Sequence, residues 1–252
     1  MRLAFKFSVK WGYLAHNPLD GKRVELPRGS SKRSRNPVQL TASESFKLCS
    51  LLGLREKLAV SFAGWLGTRV SEAFGLRWED LDLKAGVVTF RRGFVQGRIT
   101  PLKTEASRTN MALPEEVLES LREWRSVTAF NKAADWVFAS PHTKGRRPLW
   151  PGEFMKSHVL PVALEAGLPH IGWHSFRHTL SAWAKEVLGL EEAKTLLRHE
   201  DVATTSNIYG QFELQAKRQL QQRLVRHVKK QAKAQGWKDP AQVLDADEVP
   251  VM

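Results

Sequence analysis

Apolar and polar positions along this 252-residue chain change period twice, and those changes predict its architecture. Residues 2–15 (RLAFKFSVKWGYLA) have helical spacing and predict a short helix. His16-Asn17-Pro18 ends it, because proline disfavours helix at the residue before it. Thr41 followed by Glu44 forms a capping box that opens a helix over SFKLCSLL. The apolar stretch LAVSFAGWLG predicts a buried helix. Gly67-Thr68 interrupts it just before Arg69, and residues 70–76 resume helical spacing. The period then shortens: GVVTFRR, GRITPL and RTNMALP are short β-rich runs that predict a small three-stranded antiparallel sheet. Lys103 falls at the end of its middle strand or in the turn that follows. From Pro114 on, EEVLESLREW, FMKSHVLPVALEAG, SFRHTLSAWAKEVL, LEEAKTLLRH and TTSNIYGQF are helical again. The expected fold class is α+β and mainly helical.

Organisation follows from composition. Residues 17–40 are rich in Pro, Gly, Ser and Arg (LPRGSSKRSRNP), which is linker composition, and the chain has no internal repeat. The formal charge is +13, which suits a polyanion because each neutralised phosphate releases a condensed counterion. A solvated basic surface is the other reading of that charge. Residues 1–40 hold nine Lys or Arg against Asp20 and Glu25, and residues 211–234 hold seven against Glu213. Residues 235–252 reverse the sign, with Lys238 against Asp239, Asp245, Asp247 and Glu248, and predict a disordered acidic tail. The single cysteine, Cys49, excludes an internal disulfide and suits a reducing cytoplasm. No apolar run approaches the roughly 20 residues needed to span a bilayer, and the first residues lack a signal-peptide core. A soluble cytoplasmic protein is expected.

Several polar residues carry candidate chemistry. Arg69 lies three residues before Glu72, a spacing that lets the carboxylate hold the guanidinium while its fork stays open to a phosphate. A structural ion pair on a surface helix fits the same spacing. His174 and Arg177, also three apart, share a helical face, where an imidazole beside a guanidinium suits phosphate binding and proton transfer. His174 and His178 are four apart, and His199 could complete a metal site. Paired helical histidines in zinc hydrolases usually enclose a glutamate base; here Ser, Phe and Arg intervene, which disfavours a metal. Tyr209 is one of only two tyrosines. A phenol with an ordinary pKa near 10 needs neighbouring positive charge to act as a nucleophile, and core packing is its ordinary use.

Four segments, GTRVSEAFGLRWEDLD, PLKTEASRTNMALP, HSFRHT and LLRHEDVATTSNIY, together resemble the tyrosine recombinase (phage integrase) family across nearly the whole chain. The resemblance implies a tyrosine recombinase-like catalytic domain over residues 41–212 and double-stranded DNA as partner. It implies six catalytic residues: Arg69, Lys103, His174, Arg177, His199 and Tyr209. Tyr209 would attack a scissile phosphate to give a 3′-phosphotyrosine, with no metal or other cofactor. Arg69 and Arg177 would clamp the non-bridging oxygens, and His199 would add a hydrogen bond. His174 would exchange the tyrosine proton and Lys103 would protonate the leaving 5′ oxygen. Arg91, Arg92 and Arg98 lie near Lys103, but arginine holds its proton too tightly for a good general acid.

Two features depart from the family pattern. Arg198 stands where most members have Gly before the histidine. Residues 1–16 resemble only the last helix of the core-binding domain that usually precedes the catalytic domain, followed by a basic linker over 17–40. A truncated, fragmentary or minimal integrase is therefore expected, with weak, salt-dependent DNA binding. A decayed integrase that binds DNA without recombining it is the alternative, and a relaxing topoisomerase of similar chemistry is a third. Leu220, Leu224 and Val228 form an apolar stripe on the basic helix 213–234. That stripe could dock on a neighbouring protomer in a tetramer on DNA, or back on its own domain.

Overall fold

A computed structural model describes residues 2–20, 38–102, 110–189, 192–193 and 210–238. The chain divides into two compact units, Met1–Asn36 and Pro37–Met252. In the first, α1 spans Arg2–Lys10, five residues shorter than residues 2–15 predict. The terminator is Gly12 rather than Pro18. With φ +78° it takes the left-handed conformation that closes a helix, and the Tyr13 amide donates back to the Ser8 carbonyl at 2.8 Å.

The second unit is mainly helical with a small antiparallel sheet, as the periodicity predicts. Helix α2 (Ala42–Leu51) starts at Thr41, whose hydroxyl accepts from the Glu44 amide while Glu44 accepts from the Thr41 amide. Helix α3 (Leu54–Trp65) buries Leu58, Phe62 and Ala63, and α4 spans Val70–Phe74. Strands β1 (Leu81–Asp82), β2 (Val87–Thr89) and β5 (Asn110–Ala112) form the three-stranded sheet in the order β1-β2-β5, with Leu81 opposite Val88 and Val88 opposite Met111.

GRITPL does not lie between the other two runs. It supplies β4 (Arg98–Pro101), which pairs with β3 (Arg92–Val95) as a separate hairpin. The turn between them, Gln96-Gly97, has positive φ at both residues (48° and 75°). That matches the right-handed strand twist and closes a two-residue hairpin.

Helix α5 (Glu115–Val127) turns Val117, Leu118 and Leu121 inward. Helix α6 (Pro151–Phe154), a π-helical turn at Met155–Val159 and α7 (Leu160–Glu165) run on from one another. Pro161 has no N–H and would crowd the carbonyl four residues earlier, so a widened turn ahead of it is the expected accommodation. Helix α8 (Trp173–Leu188) and the 25-residue α9 (Gly210–Ala234) complete the unit. No described helix is long and apolar enough to cross a membrane.

One core gathers Phe62, Leu66, Phe74, Trp78, Phe90, Leu121, Phe138 and Ile171, joining α3, α4, α5 and the sheet. A second joins α8 to α9 through Leu180, Trp183 and Ala184 against Leu224, Val228 and Ala232. Leu224 and Val228 of the apolar stripe are therefore buried within their own domain, while Leu220 stays half-buried. The end of α9 is fastened further: Gln235 Oε1 accepts from the Ser43 amide at 2.9 Å, and Trp237 lies 4.7 Å from the Phe46 ring.

Candidate active site

Arg69 owes its position to the break between α3 and α4. Gly67 has φ +59°, a conformation costly for residues with a Cβ. Buried Thr68 then ties the chain back, its hydroxyl donating to the Phe62 carbonyl at 2.9 Å. These two residues deliver Arg69 to the N-cap of α4 in extended conformation. Glu72, one turn on, accepts from the Arg69 amide and from its Nη1, each at 3.1 Å. The Glu72 side chain is 2% exposed and that of Arg69 is 40% exposed. The buried carboxylate thus holds a guanidinium whose side chain is partly exposed.

Helix α8 carries the second arginine. Its start is set by Gly172, whose amide donates to Ser175 Oγ at 3.1 Å. Trp173 anchors the first turn: its Nε1 donates to the Pro151 carbonyl at 2.8 Å, and its ring meets Phe74 edge-on at 5.5 Å. Since Phe74 belongs to α4, this contact locks α8 to the helix that Arg69 caps. His174 is exposed on the same turn. Arg177, one turn later and half-buried, donates from Nη1 to the Gly67 carbonyl. The structure thus brings Arg69 and Arg177 to one loop, with His174 exposed one turn before Arg177 on α8. Lys103, His199 and Tyr209 lie outside the described residues, as does Arg198.

The neighbouring arginines have other engagements. Arg92 Nη1 contacts Asp80 Oδ2 at 2.7 Å and Arg91 Nε lies 3.6 Å from Asp80 Oδ1, with the Asp80 side chain 1% exposed. Arg77 lies 4.5 Å over the Trp136 ring. Asp80 therefore binds β3 to the segment after α4, and Arg92 serves the fold. His178 is exposed and its ring centroid is 6.4 Å from that of His174. Among the described residues no group of three or more His, Cys, Asp or Glu could hold a metal ion.

Two positioning groups were not anticipated from the residues alone. The Gly67 carbonyl is a backbone atom and has no side-chain signature, although the Gly-Thr break marks its place. Ser175, three residues after Gly172, accepts at the helix start as a capping residue does, within the HSFRHT string.

Comparison with known proteins places the chain in a family and matches its fold. The profile of the phage integrase family matches residues 40–236. The tyrosine recombinase XerC of Xylella fastidiosa (strain M23) is 28% identical over 226 residues, covering 84% of this chain and 67% of the relative. A XerC-like tyrosine recombinase of Caldanaerobacter subterraneus is 25% identical over 233 residues, covering 83% of this chain. The chain spans only 59% of that relative's length. A putative defective protein, IntQ, of Escherichia coli K12 is 26% identical over 240 residues, covering 84% of this chain and 58% of its own length. Among solved structures, the Tn1549 transposon integrase in complex with a circular intermediate DNA superposes with a TM-score of 0.61 at 18% identity. It covers 85% of this chain and 76% of that one. A lambda integrase dimer bound to a core site gives 0.52 at 18% identity, covering 84% and 69%.

Proposed function

Since the chain belongs to the phage integrase family, we propose that it is a tyrosine-type DNA strand transferase that cuts and rejoins double-stranded DNA at a specific site. Tyr209 Oη attacks the scissile phosphorus. A phosphorus–oxygen bond forms to the tyrosine as the bond to the 5′ oxygen breaks, leaving a 3′-phosphotyrosine and a 5′ hydroxyl. His174 takes the phenol proton and Lys103 gives one to the leaving oxygen. Arg69 and Arg177 neutralise the two non-bridging oxygens where charge accumulates, and His199 adds a hydrogen bond. Reversal with a different 5′ hydroxyl reseals the strand. The ester bond is conserved throughout, so the exchange needs no nucleotide cofactor.

One observation carries the reading: the Arg177 guanidinium is tied to the Gly67 carbonyl, two residues before Arg69, which is itself held by buried Glu72. Two guanidiniums with fixed stems at one loop suit a planar, doubly charged clamp better than a diffuse basic surface does. The catalytic domain corresponds to residues 41–212. Assembly on DNA is as a tetramer, and Leu224 and Val228 of the α9 stripe, already buried against α8, leave only the rest of that helix for contact with a neighbouring protomer. Replacing Tyr209 with Phe tests the chemistry through loss of covalent DNA attachment with binding retained.

A second reading, binding without strand exchange, is favoured by the likeness to the relative described as a putative defective protein. Covalent attachment that is absent with Tyr209 intact would select it.

A further inference from the structure

A cleft of about 630 Å3 lies between the β1–β2 turn, the start of α5 and the outer face of α9. Arg69, His174 and Arg177 do not line it. Five cations do: Lys84, Arg122, Arg218, Arg226 and Lys229. Glu115 pairs with Arg122 at 3.1 Å and Glu116 pairs with Lys229. Arg218 Nη2 donates to the Ala85 carbonyl at 2.8 Å. Among the described residues, no carboxylate lies within ion-pair distance of Lys84 or Arg226. The cleft therefore keeps a surplus of positive charge after its internal pairs are made.

Its floor holds the decisive group. Gln221 is 3% exposed and lines the cleft, yet neither its Nε2 nor its Oε1 has a hydrogen-bond partner among the described residues. Buried side-chain amides are nearly always satisfied, so this one calls for an occupant. The occupant must accept from Nε2 and donate to Oε1. A DNA phosphate only accepts, whereas an extended peptide backbone offers both a carbonyl and an amide. Positive surroundings then select an acidic peptide.

We propose that the cleft is a docking site for this chain's own acidic segment, residues 239–252, bound in the same molecule with its backbone on Gln221 and its carboxylates among Lys84, Arg218 and Arg226. That segment holds Asp239, Asp245, Asp247 and Glu248 and no cation. Reach is sufficient. Folding back from Lys238, ten extended residues span about 33 Å, whereas Arg226 lies roughly 12 Å and Arg218 roughly 24 Å before the end of α9. A tether this short raises the local concentration of the segment to about the millimolar range, so modest intrinsic affinity is enough. The segment would then mask one basic face of the protein, in a contact that salt weakens.

The test uses the full-length chain with a carbodiimide, which joins carboxylates directly to lysines, followed by mass-spectrometric mapping of the monomer fraction. The expected result is linkage of residues 245–248 to Lys84 or Lys229. Yield should fall at least fivefold in Gln221→Leu and in Arg226→Glu, an exposed position outside both cores, and be unchanged in Gln222→Leu. A mixture of isotopically light and heavy chains identifies the donor. Mixed-isotope links confined to covalent dimers would overturn the proposal by assigning the cleft to a second copy. Absence of links to the cleft lysines, or full yield in both Gln221→Leu and Arg226→Glu, would also overturn it.

Discussion

Arg177 on α8 donates to the carbonyl of Gly67, two residues before Arg69 on the neighbouring loop. A backbone atom thus couples the two arginines, and the coupling needs the planar fork of Arg177 as well as its charge. Arg177→Lys keeps the charge and loses the fork. We expect covalent DNA attachment to fall about 100-fold with non-covalent binding almost unchanged. Single-turnover cleavage compared with filter binding at equal salt would show the split. Equal losses in both would mean that Arg177 serves binding alone.

Glu72 is buried beneath Arg69 and accepts from it twice. Glu72→Gln keeps the volume but removes the charge that orients the guanidinium. Stability should drop by about 1–3 kcal/mol, the range for weakening a buried hydrogen-bonded pair, and attachment should fall more than urea unfolding alone predicts. Attachment that tracks only the folded fraction would make Glu72 a purely structural residue.

Gly75 ends α4 directly against the hairpin. A Cβ there would sit 2.8 Å from the Arg92 carbonyl and 3.1 Å from the Gly93 Cα. Both are backbone atoms that cannot rotate away. Gly75→Ala should therefore destabilise by about 1–3 kcal/mol through overpacking, seen as a lower denaturant midpoint with an unchanged slope. A midpoint equal to the parent's would show that α4 and the hairpin separate easily.

Burial pushes the Cys49 thiol up to about 11, against a smaller opposing effect from Lys57. The folded state holds this proton above the pH at which the unfolded chain releases it. Stability from this group is thus complete below pH 9 and is lost as pH rises from 9 towards 11, at no more than about 1.4 kcal/mol per pH unit. Thiol modification at pH 8 should be slow in the native protein and rapid in denaturant. Fast native labelling would contradict the assignment.

Much of the fold was legible because local signals agree with packing. Thr41 and Glu44 mark the start of α2, and Gly67-Thr68 mark the break that sets Arg69. Other features depend on contacts between segments. The end of α1 answered to Gly12 and not to Pro18, since the glycine's left-handed conformation closes a helix wherever it first suffices. GRITPL has strand composition, but its partner is chosen by the Gln96-Gly97 turn, so it joins Arg92–Val95. For α9, periodicity exposes an apolar stripe without naming what covers it; α8 covers Leu224 and Val228 through Leu180, Trp183 and Ala184. Arg69, His174 and Arg177 were legible as residue types at helical spacing. The carbonyl that joins two of them was not, because it belongs to the backbone.

Recovery of detergent-resistant protein–DNA adducts from cells expressing the chain or its Tyr209→Phe variant, with sequencing of the attached ends, tests the central claim most directly. Adducts that need Tyr209, are joined through a 3′ phosphate and cluster at one sequence are expected. Equal adduct yield from Tyr209→Phe, or adducts joined through a 5′ phosphate, would contradict it.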